Sequence, residues 1–458
     1  MRKSTLVVCA LAIIAVAGGA LAQETVAPAP DAEMKAQLDK TQAALDTAIR
    51  RIGELESKVN ALGGKVDASS KDAASLSAQL KDLEGKAKEA APKAASPFAF
   101  QPYGYIKVDM IYDDTRTAAT DQAAFVMPEK PGFGSDKYFS ITVRQTRLGV
   151  NILGPDIGAG KQMGKVEIDF YAPASIENKP ELMLRSAYWQ LSYKTWNVLV
   201  GQTWEIMSPL APNVFNYPFL ALSGNPGYRK PMVRYERTDK VLGDKTLQTD
   251  LALVRGIGSS VFSSSSLDDQ ASDAAWPVLQ SRVGITIPTS VGRPMTVGLS
   301  GHLGQEEYDT ATSGKGDMYM TYSGNIDWKV PILKELDFNG EFWAGRNMDG
   351  YMGGIGQGVN TGDFVPVDAI GGWGQLCFKP KQLPKWLFTV GAGIDDPAND
   401  DLSSTVNKSR NATYFTNATY SLSDKTVVGM ELSYQKTSYI NDYDGDNIRV
   451  QTMLQYNF

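Results

Sequence analysis

The chain has 458 residues, of which 43% are hydrophobic and 21% charged, with 43 Gly, 20 Tyr, one His and two Cys. Its formal net charge is −6 and it has no basic run, which excludes a nucleic-acid partner. After residue 22 no apolar run approaches the ~20 residues that a membrane helix needs, which excludes a helical membrane protein. The sequence has no CxxCH motif, so covalent c-type haem is excluded, and we expect no cofactor.

Residues 1–22 have the features of a secretory signal peptide. Two basic residues precede an apolar stretch, and Ala20-Leu21-Ala22 fits a small-x-small cleavage site. Cleavage would leave Gln23 as the first residue of an acidic mature chain. It would also remove Cys9 and leave Cys377 as the one cysteine, so we expect no internal disulfide.

A seven-residue repeat of apolar side chains covers residues 34–90, after an Ala- and Pro-rich linker at 23–33. Charged residues fill the outer positions of the repeat, which predicts an α-helical coiled coil. Segment 51–56 resembles the Arg-h-x-x-h-Glu signature of trimeric coiled coils, so we expect a homotrimer. An amphipathic helix without a partner is the alternative. A second linker at 91–100 ends this region.

From residue 101 onward, segments of about ten residues alternate between apolar and polar side chains. In the last segment Val450 and Leu454 share one face, whereas Arg449 and Gln451 share the other. This alternation is typical of a transmembrane β-barrel, although a soluble β-sandwich would also show it. The sixteen predicted strands are 102–113, 139–153, 164–172, 182–194, 196–206, 230–239, 246–255, 277–288, 294–305, 317–330, 335–346, 367–379, 385–395, 410–422, 425–438 and 446–458.

The connections between these strands separate the two interpretations, because short turns alternate with long loops. This alternation and the aromatic carboxyl terminus, Phe458, are typical of an up-and-down barrel in the bacterial outer membrane. The sequence therefore predicts an all-β transmembrane barrel of about sixteen antiparallel strands over 101–458. The coiled coil would then lie in the periplasm, with peptidoglycan as its candidate contact, and the barrel would contact outer-membrane lipid.

Residues 207–228 form a predicted loop that is rich in Pro and aromatic residues and unusually apolar. A barrel of sixteen strands encloses an aqueous lumen, so we expect this loop to fold inward as a constriction. A latch at a trimer interface is the alternative.

Arginines are concentrated in the same part of the barrel. Strand parity places Arg147, Arg234 and Arg282 in the lumen. Arg144 and Arg185 do not fit the alternation of their strands, which a β-bulge or a position at the rim of the barrel would explain. The alternative is that the arginines pair with Asp109, Glu167, Asp169 and Glu236 and only stiffen the wall. The predicted pore-lining residues are Arg144, Arg147, Arg185, Arg229, Arg234, Arg282, Lys107, Asp109 and Glu236.

Five short motifs in the expected order, together with the coiled coil, resemble the DcaP-like trimeric outer-membrane porins. The motifs are Gly104-Tyr105-Ile106-Lys107-Val108-Asp109, Arg144-Gln145-Thr146-Arg147-Leu148-Gly149, Gly201-Gln202-Thr203-Trp204, Gly224-Asn225-Pro226-Gly227 with Arg229, and Arg234-Tyr235-Glu236. The resemblance implies a sixteen-stranded homotrimer whose arginine-lined eyelet favours small organic anions such as dicarboxylates.

The expected function is passive diffusion of small hydrophilic solutes, small anions above all, and not catalysis. A non-selective porin with a mainly structural, envelope-tethering role is the first alternative. An outer-membrane barrel hydrolase is the second, and it would depend on His302, which parity places in the lumen with Ser300. No constellation of carboxylates near His302 supports a catalytic triad.

Overall fold

The computed structural model describes residues 98–458 except 119–120, 133–135, 173–178, 258–273, 310–315, 361–362 and 403–406, and a few residues before them. The chain divides into two units, Met1–Ala95 and Ser96–Phe458. In the first unit residues 42–43, 45–47, 49–58, 60 and 81–82 are helical and exposed. The signal peptide, the linker at 23–33 and most of the predicted coiled coil lie outside the described residues.

The second unit is a closed barrel of sixteen antiparallel strands, as the sequence predicted. The strands are β1 (Ala99–Asp113), β2 (Tyr138–Thr142 and Arg147–Leu153), β3 (Lys161–Asp169), β4 (Met183–Ser192), β5 (Trp196–Trp204), β6 (Arg229–Val241), β7 (Lys245–Val254), β8 (Val278–Ile287), β9 (Met295–Asp309), β10 (Gly316–Pro331), β11 (Leu336–Arg346), β12 (Asp368–Phe378), β13 (Trp386–Pro397), β14 (Asn407–Ser421), β15 (Thr426–Ile440) and β16 (Gly445–Asn457).

Closure of the barrel follows from the pairing of its first and last strands. Tyr105 in β1 lies opposite Asn457 in β16, and each remaining strand pairs with its neighbours in sequence. Since every strand is paired on both sides, the sheet has no open edge. Most strand ends lie within a few residues of the predicted ones. In the first two strands the differences affect the architecture: β1 begins at Ala99, within the expected linker 91–100, and β2 consists of two segments that both pair with β1.

The distribution of polar and apolar side chains is the reverse of that in a soluble protein. In β16 the inward-facing Gln451 is 0% exposed, whereas the outward-facing Leu454 is 44% exposed. The same alternation runs through β15, where Glu431 is buried and Met430 is exposed. Polar side chains therefore line the interior and apolar side chains cover the outside, as in a barrel with a lipid-facing surface.

The connections at the two ends of the barrel differ in length. Seven turns of three to seven residues occupy the end where Ala99 and Asn457 lie, and every connection longer than seven residues lies at the other end. The loop after β11 contains 3-10 turns at Asp349–Tyr351 and Gly354–Gly356 and a ribbon of Val359–Asn360 with Val365–Pro366. A third 3-10 turn, Asn399–Asp401, precedes β14. No helix among the described residues has both the length and the apolar character needed to cross a membrane.

Candidate functional site

The loop between β5 and β6, residues 205–228, folds into the barrel and follows its wall. The Met207 carbonyl accepts hydrogen bonds from Ser300 Oγ in β9 at 2.7 Å and from Asn325 Nδ2 in β10 at 2.8 Å. The Leu210 amide then donates to Glu341 in β11 at 2.7 Å. The inward course that the apolar composition predicted is therefore observed.

The next residues of the loop reach the following strands in turn. Asn213 donates through its backbone amide to Gln375 in β12 at 2.8 Å and through its side chain to Thr389 in β13 at 2.8 Å. The Phe215 amide donates to Glu431 in β15 at 2.9 Å. Because the backbone amides point at the wall, the lumen side chains of β11 to β15 satisfy the polar groups that an apolar loop cannot satisfy by itself.

Lys107 and Asp109 belong to this anchorage. The Phe215 carbonyl accepts hydrogen bonds from Lys107 Nζ, Gln145 Nε2 and Gln451 Nε2 at 3.4, 2.9 and 3.1 Å. Lys107 also forms an ion pair with Asp109 at 3.2 Å. Both residues were expected to line the pore, but they lie behind the loop and outside the residues around the cavity described next.

The returning half of the loop has a strained backbone. Phe219, Leu220 and Leu222 have φ values of 51°, 61° and 60°, in the left-handed region that non-glycine residues rarely adopt. At Gly224 an added Cβ would lie 2.1 Å from the Gly372 carbonyl oxygen, so only glycine permits this approach to the wall. Such strain persists only where the surrounding contacts enforce it, and it is common at functional sites.

Between the loop and the wall of β2 to β10 lies a cavity of about 1180 Å³. All six arginines of the predicted set surround it, as does Glu236, so the fold brings together seven of the nine predicted residues. The lining residues include eight cationic side chains, of Arg144, Arg147, Arg185, Arg229, Arg234, Arg282, Lys329 and Lys408. They also include five carboxylates, of Asp121, Glu205, Glu236, Asp250 and Asp327.

Arg282 and Arg234 are each paired with a carboxylate across the cavity wall. Arg282 donates to both oxygens of Asp327 at 2.9 and 2.7 Å, and Asp250 lies 3.9 Å away. Arg234 lies 3.1 Å from Glu236. These pairs reduce the local charge, which is the arrangement expected if arginines stiffen the wall.

Arg185 and Arg147 share the carboxylate of Glu167. Arg185 lies between Glu167, at 2.9 Å, and Asp169, and it is almost fully buried. Arg147 lies 3.6 Å from Glu167 and over the Tyr105 ring. The register of β3 with β4 shifts between Glu167 and Ile168, and Arg185 occupies the resulting bulge. The bulge explains why Arg185 faces the lumen although the alternation of its strand did not predict it.

Arg144 lies in the break between the two segments of β2, so strand parity does not apply to it. Its guanidinium donates to both oxygens of Asp121 at 3.0 and 3.1 Å and lies 4.4 Å from the centre of the Tyr171 ring. Asp121 belongs to the first long loop, which therefore also reaches the cavity.

Arg229 differs from the other arginines because no carboxylate pairs with it within the part of the chain that the structure describes. Its guanidinium lies over the rings of Trp204 and Tyr228, at 5.3 and 4.8 Å, and Nη2 donates to the Tyr228 hydroxyl at 3.2 Å. Its Nε and Nη1 atoms have no hydrogen-bond partner among the described residues. Aromatic faces stabilise the cation without neutralising it.

Tyr217 joins the loop to the arginine wall. Its hydroxyl donates to Asp169 at 2.9 Å and accepts from Arg185 at 3.3 Å. Burial raises the pKa of Tyr217, because desolvation disfavours the phenolate, so the hydroxyl remains a hydrogen-bond donor.

Several residues around the cavity were not singled out from the sequence. Asp250, Asp327 and Lys329 lie on the lumen face of their strands, and the alternation of side chains along each strand could have identified them. Asp121 and Lys408 could not, because both lie outside the predicted strands and loop positions carry no parity.

His302 does not line this cavity. It is buried, stacks on Tyr351 at 3.9 Å, and bonds to Ser323 Oγ and Thr321 Oγ1 at 2.8 and 2.9 Å. It therefore contributes to the packing of the wall against the loop after β11.

Comparison with solved structures finds the same architecture in outer-membrane channels. The chain is similar to the outer membrane channel DcaP of Acinetobacter baumannii, with a TM-score of 0.63 and 19% identity over 79% of this chain and 97% of that one. It also resembles OprB of Pseudomonas putida, with a TM-score of 0.50 and 11% identity over 78% and 94% of the two chains. No family model and no curated protein matches the chain. The fold that the sequence resemblance implied is therefore confirmed: a porin-like barrel of sixteen strands.

Proposed function

We propose that the protein is an outer-membrane porin that lets small hydrophilic solutes diffuse through the barrel and favours small organic anions. The observation that carries the proposal is the cavity between the inward loop and the arginine wall, where cationic side chains outnumber carboxylates. Charges that line a narrow, poorly screened constriction determine selectivity more strongly than the net charge of the chain. An acidic protein can therefore favour anions.

The choice of arginine supports organic acids as the preferred anions. A guanidinium presents a rigid fork of donors that fits the two oxygens of a carboxylate, whereas chloride offers no such match. Arg229 retains unpartnered donors for such a contact. Dicarboxylates are the solutes that the sequence resemblance implies, and they belong to the same proposal.

The proposed setting is a homotrimer in the outer membrane, exported by the signal peptide at 1–22. In this setting the coiled coil at 34–90 is periplasmic, with peptidoglycan as its candidate contact, and the apolar outside of the barrel faces lipid. The outward position of Met430 and Leu454 supports the last of these expectations.

The experiment is a comparison of reversal potentials in planar bilayers under a salt gradient. Replacing Arg147 and Arg234 with Ala should shift the reversal potential of the channel toward cations and weaken the block of chloride current by succinate. Arg237→Ala is the matched control, because Arg237 is exposed and pairs with Asp239 outside the cavity. An unchanged potential in the double variant would mean that these arginines only stiffen the wall of a non-selective pore.

A further inference from the structure

Beyond Glu205 at its start, the inward loop carries no charge that could oppose the arginine wall. Residues 207–228 contain no Asp, Glu, Lys or Arg. Pro209 and Ala211 are exposed, Leu210 and Phe219 are half-buried, and all four line the cavity. Apolar side chains in contact with an aqueous lumen are unfavourable unless a solute covers them.

The position of these side chains is set by the anchorage of the loop and by apolar packing against the wall. The amides of Leu210, Asn213 and Phe215 donate to wall residues on β11, β12 and β15. Leu210 and Phe219 pack on one side against a buried apolar cluster that includes Trp373 of β12 and Phe415 of β14, and their remaining surface lines the cavity. The apolar face is therefore built into the constriction.

The wall across the cavity is cationic. Arg229 lies there with Trp204, and its Nε and Nη1 atoms have no hydrogen-bond partner among the described residues. Arg147 and Arg234 contribute further donors on the same wall. One side of the cavity thus complements an anion, and the other complements an apolar surface.

We propose that the constriction selects amphipathic carboxylates, which combine an anionic end with an aromatic or branched aliphatic body. The carboxylate contacts Arg229, and the apolar body lies against Leu210 and Phe219. This inference rests on the proposed function as an anion-preferring pore and adds the substrate class. It predicts that an apolar substituent strengthens binding whether the solute carries one carboxylate or two.

Two pairs of solutes, each matched in charge, test the proposal. In planar bilayers the concentration that halves the chloride current is measured for benzoate against acetate and for phenylsuccinate against succinate. The aromatic member of each pair should act at a roughly tenfold lower concentration, since partial burial of a phenyl ring favours binding by about that factor. Equal concentrations within both pairs would overturn the proposal.

Variants of the loop test whether Leu210 and Phe219 make the apolar contact with the solute. Leu210→Asn combined with Phe219→Asn should reduce the advantage of benzoate over acetate to about twofold or less, since polar side chains replace the apolar face. Asn tolerates the left-handed backbone at position 219, and chloride conductance of the variant shows that the barrel has folded. Leu333→Asn, on an exposed turn outside the cavity, is the control and should keep the wild-type advantage.

The two proposals fail in different ways. A channel that prefers anions but does not distinguish the members of each pair contradicts the amphipathic selection and leaves the porin proposal intact. A cation-selective wild-type channel contradicts the proposed function itself. Retention of the benzoate advantage in the double loop variant would place the apolar contact elsewhere and overturn the assignment to Leu210 and Phe219.

Discussion

Arg229 and Arg282 both line the cavity, but their charges have different surroundings. Arg282 has two carboxylates within 4 Å, Asp327 and Asp250, whereas Arg229 lies between aromatic rings. An ion pair at a constriction has a weak external field because its charges offset each other at short range. A cation against an aromatic face retains its charge, so the two arginines should contribute unequally to selectivity.

This difference predicts that substitutions at the two sites change the anion-to-cation permeability ratio in opposite directions. Arg229→Gln should lower the anion-to-cation permeability ratio, by about 1 kcal/mol or about fivefold. Asp327→Asn should raise the same ratio, because it leaves the charge of Arg282 without its main partner. Reversal potentials in a salt gradient measure both changes.

Arg237→Gln is the control for these two variants, since Arg237 is exposed and pairs with Asp239 outside the cavity. It should reproduce the wild-type ratio. Changes of the same sign in Arg229→Gln and Asp327→Asn would contradict the view that pairing with carboxylates decides which cations act on the solute.

Among the elements of the barrel, the inward loop depends most on single side chains. Glu341 accepts from the Leu210 amide and the Ser208 hydroxyl, and Glu431 accepts from the Phe215 amide. Buried hydrogen bonds contribute about 0.5–1.5 kcal/mol each, and an amide left without its partner costs about 1–3 kcal/mol. These two carboxylates therefore hold much of the loop against β11 and β15.

Replacing both Glu341 and Glu431 with Ala should release the loop, raise single-channel conductance and reduce the anion preference of the channel. The matched variant with Gln at both positions should stay closer to wild type, because the amide oxygen can still accept from the loop. Single-channel recordings distinguish the two. Wild-type conductance in the Ala variant would show that the other wall contacts are sufficient to hold the loop.

The strands were predictable from the sequence because each has one apolar and one polar face, and that alternation is local. The break in β2 and the bulge at Arg185 were not, since both depend on how neighbouring strands pair. The inward course of residues 207–228 followed from their composition, but the wall partners did not. Glu431 lies 216 residues from Phe215 in the chain, and no local pattern relates them.

The residues of the candidate site were likewise only partly predictable from the sequence. Strand parity identified Arg147, Arg234 and Arg282, whereas Arg144 and Arg185 do not follow the alternation of their strands. Lys107 and Asp109, which were expected at the same site, anchor the loop instead. Which arginine remains unpaired depends on carboxylates from distant strands and loops, such as Asp121. Pairing is therefore a property of the folded barrel and was not available from the sequence.

For the whole molecule, the division into two units leads us to expect that the barrel folds without the N-terminal segment. A chain that begins at residue 98 should form a barrel with heat-modifiable migration in gels, because closure requires only β1 to β16. The full chain should be a trimer by light scattering. Failure of the shortened chain to fold would show that the N-terminal segment is needed for assembly.

The reversal potential of the wild-type channel under a potassium chloride gradient is the most direct test of the anion-preferring pore. Cationic side chains are in excess around the cavity, and Arg229 has no carboxylate partner among the described residues. We therefore predict a reversal potential of the sign that chloride permeation gives. Millimolar succinate should also reduce the chloride current. A potential of the sign that potassium permeation gives, with no effect of succinate, would contradict this account.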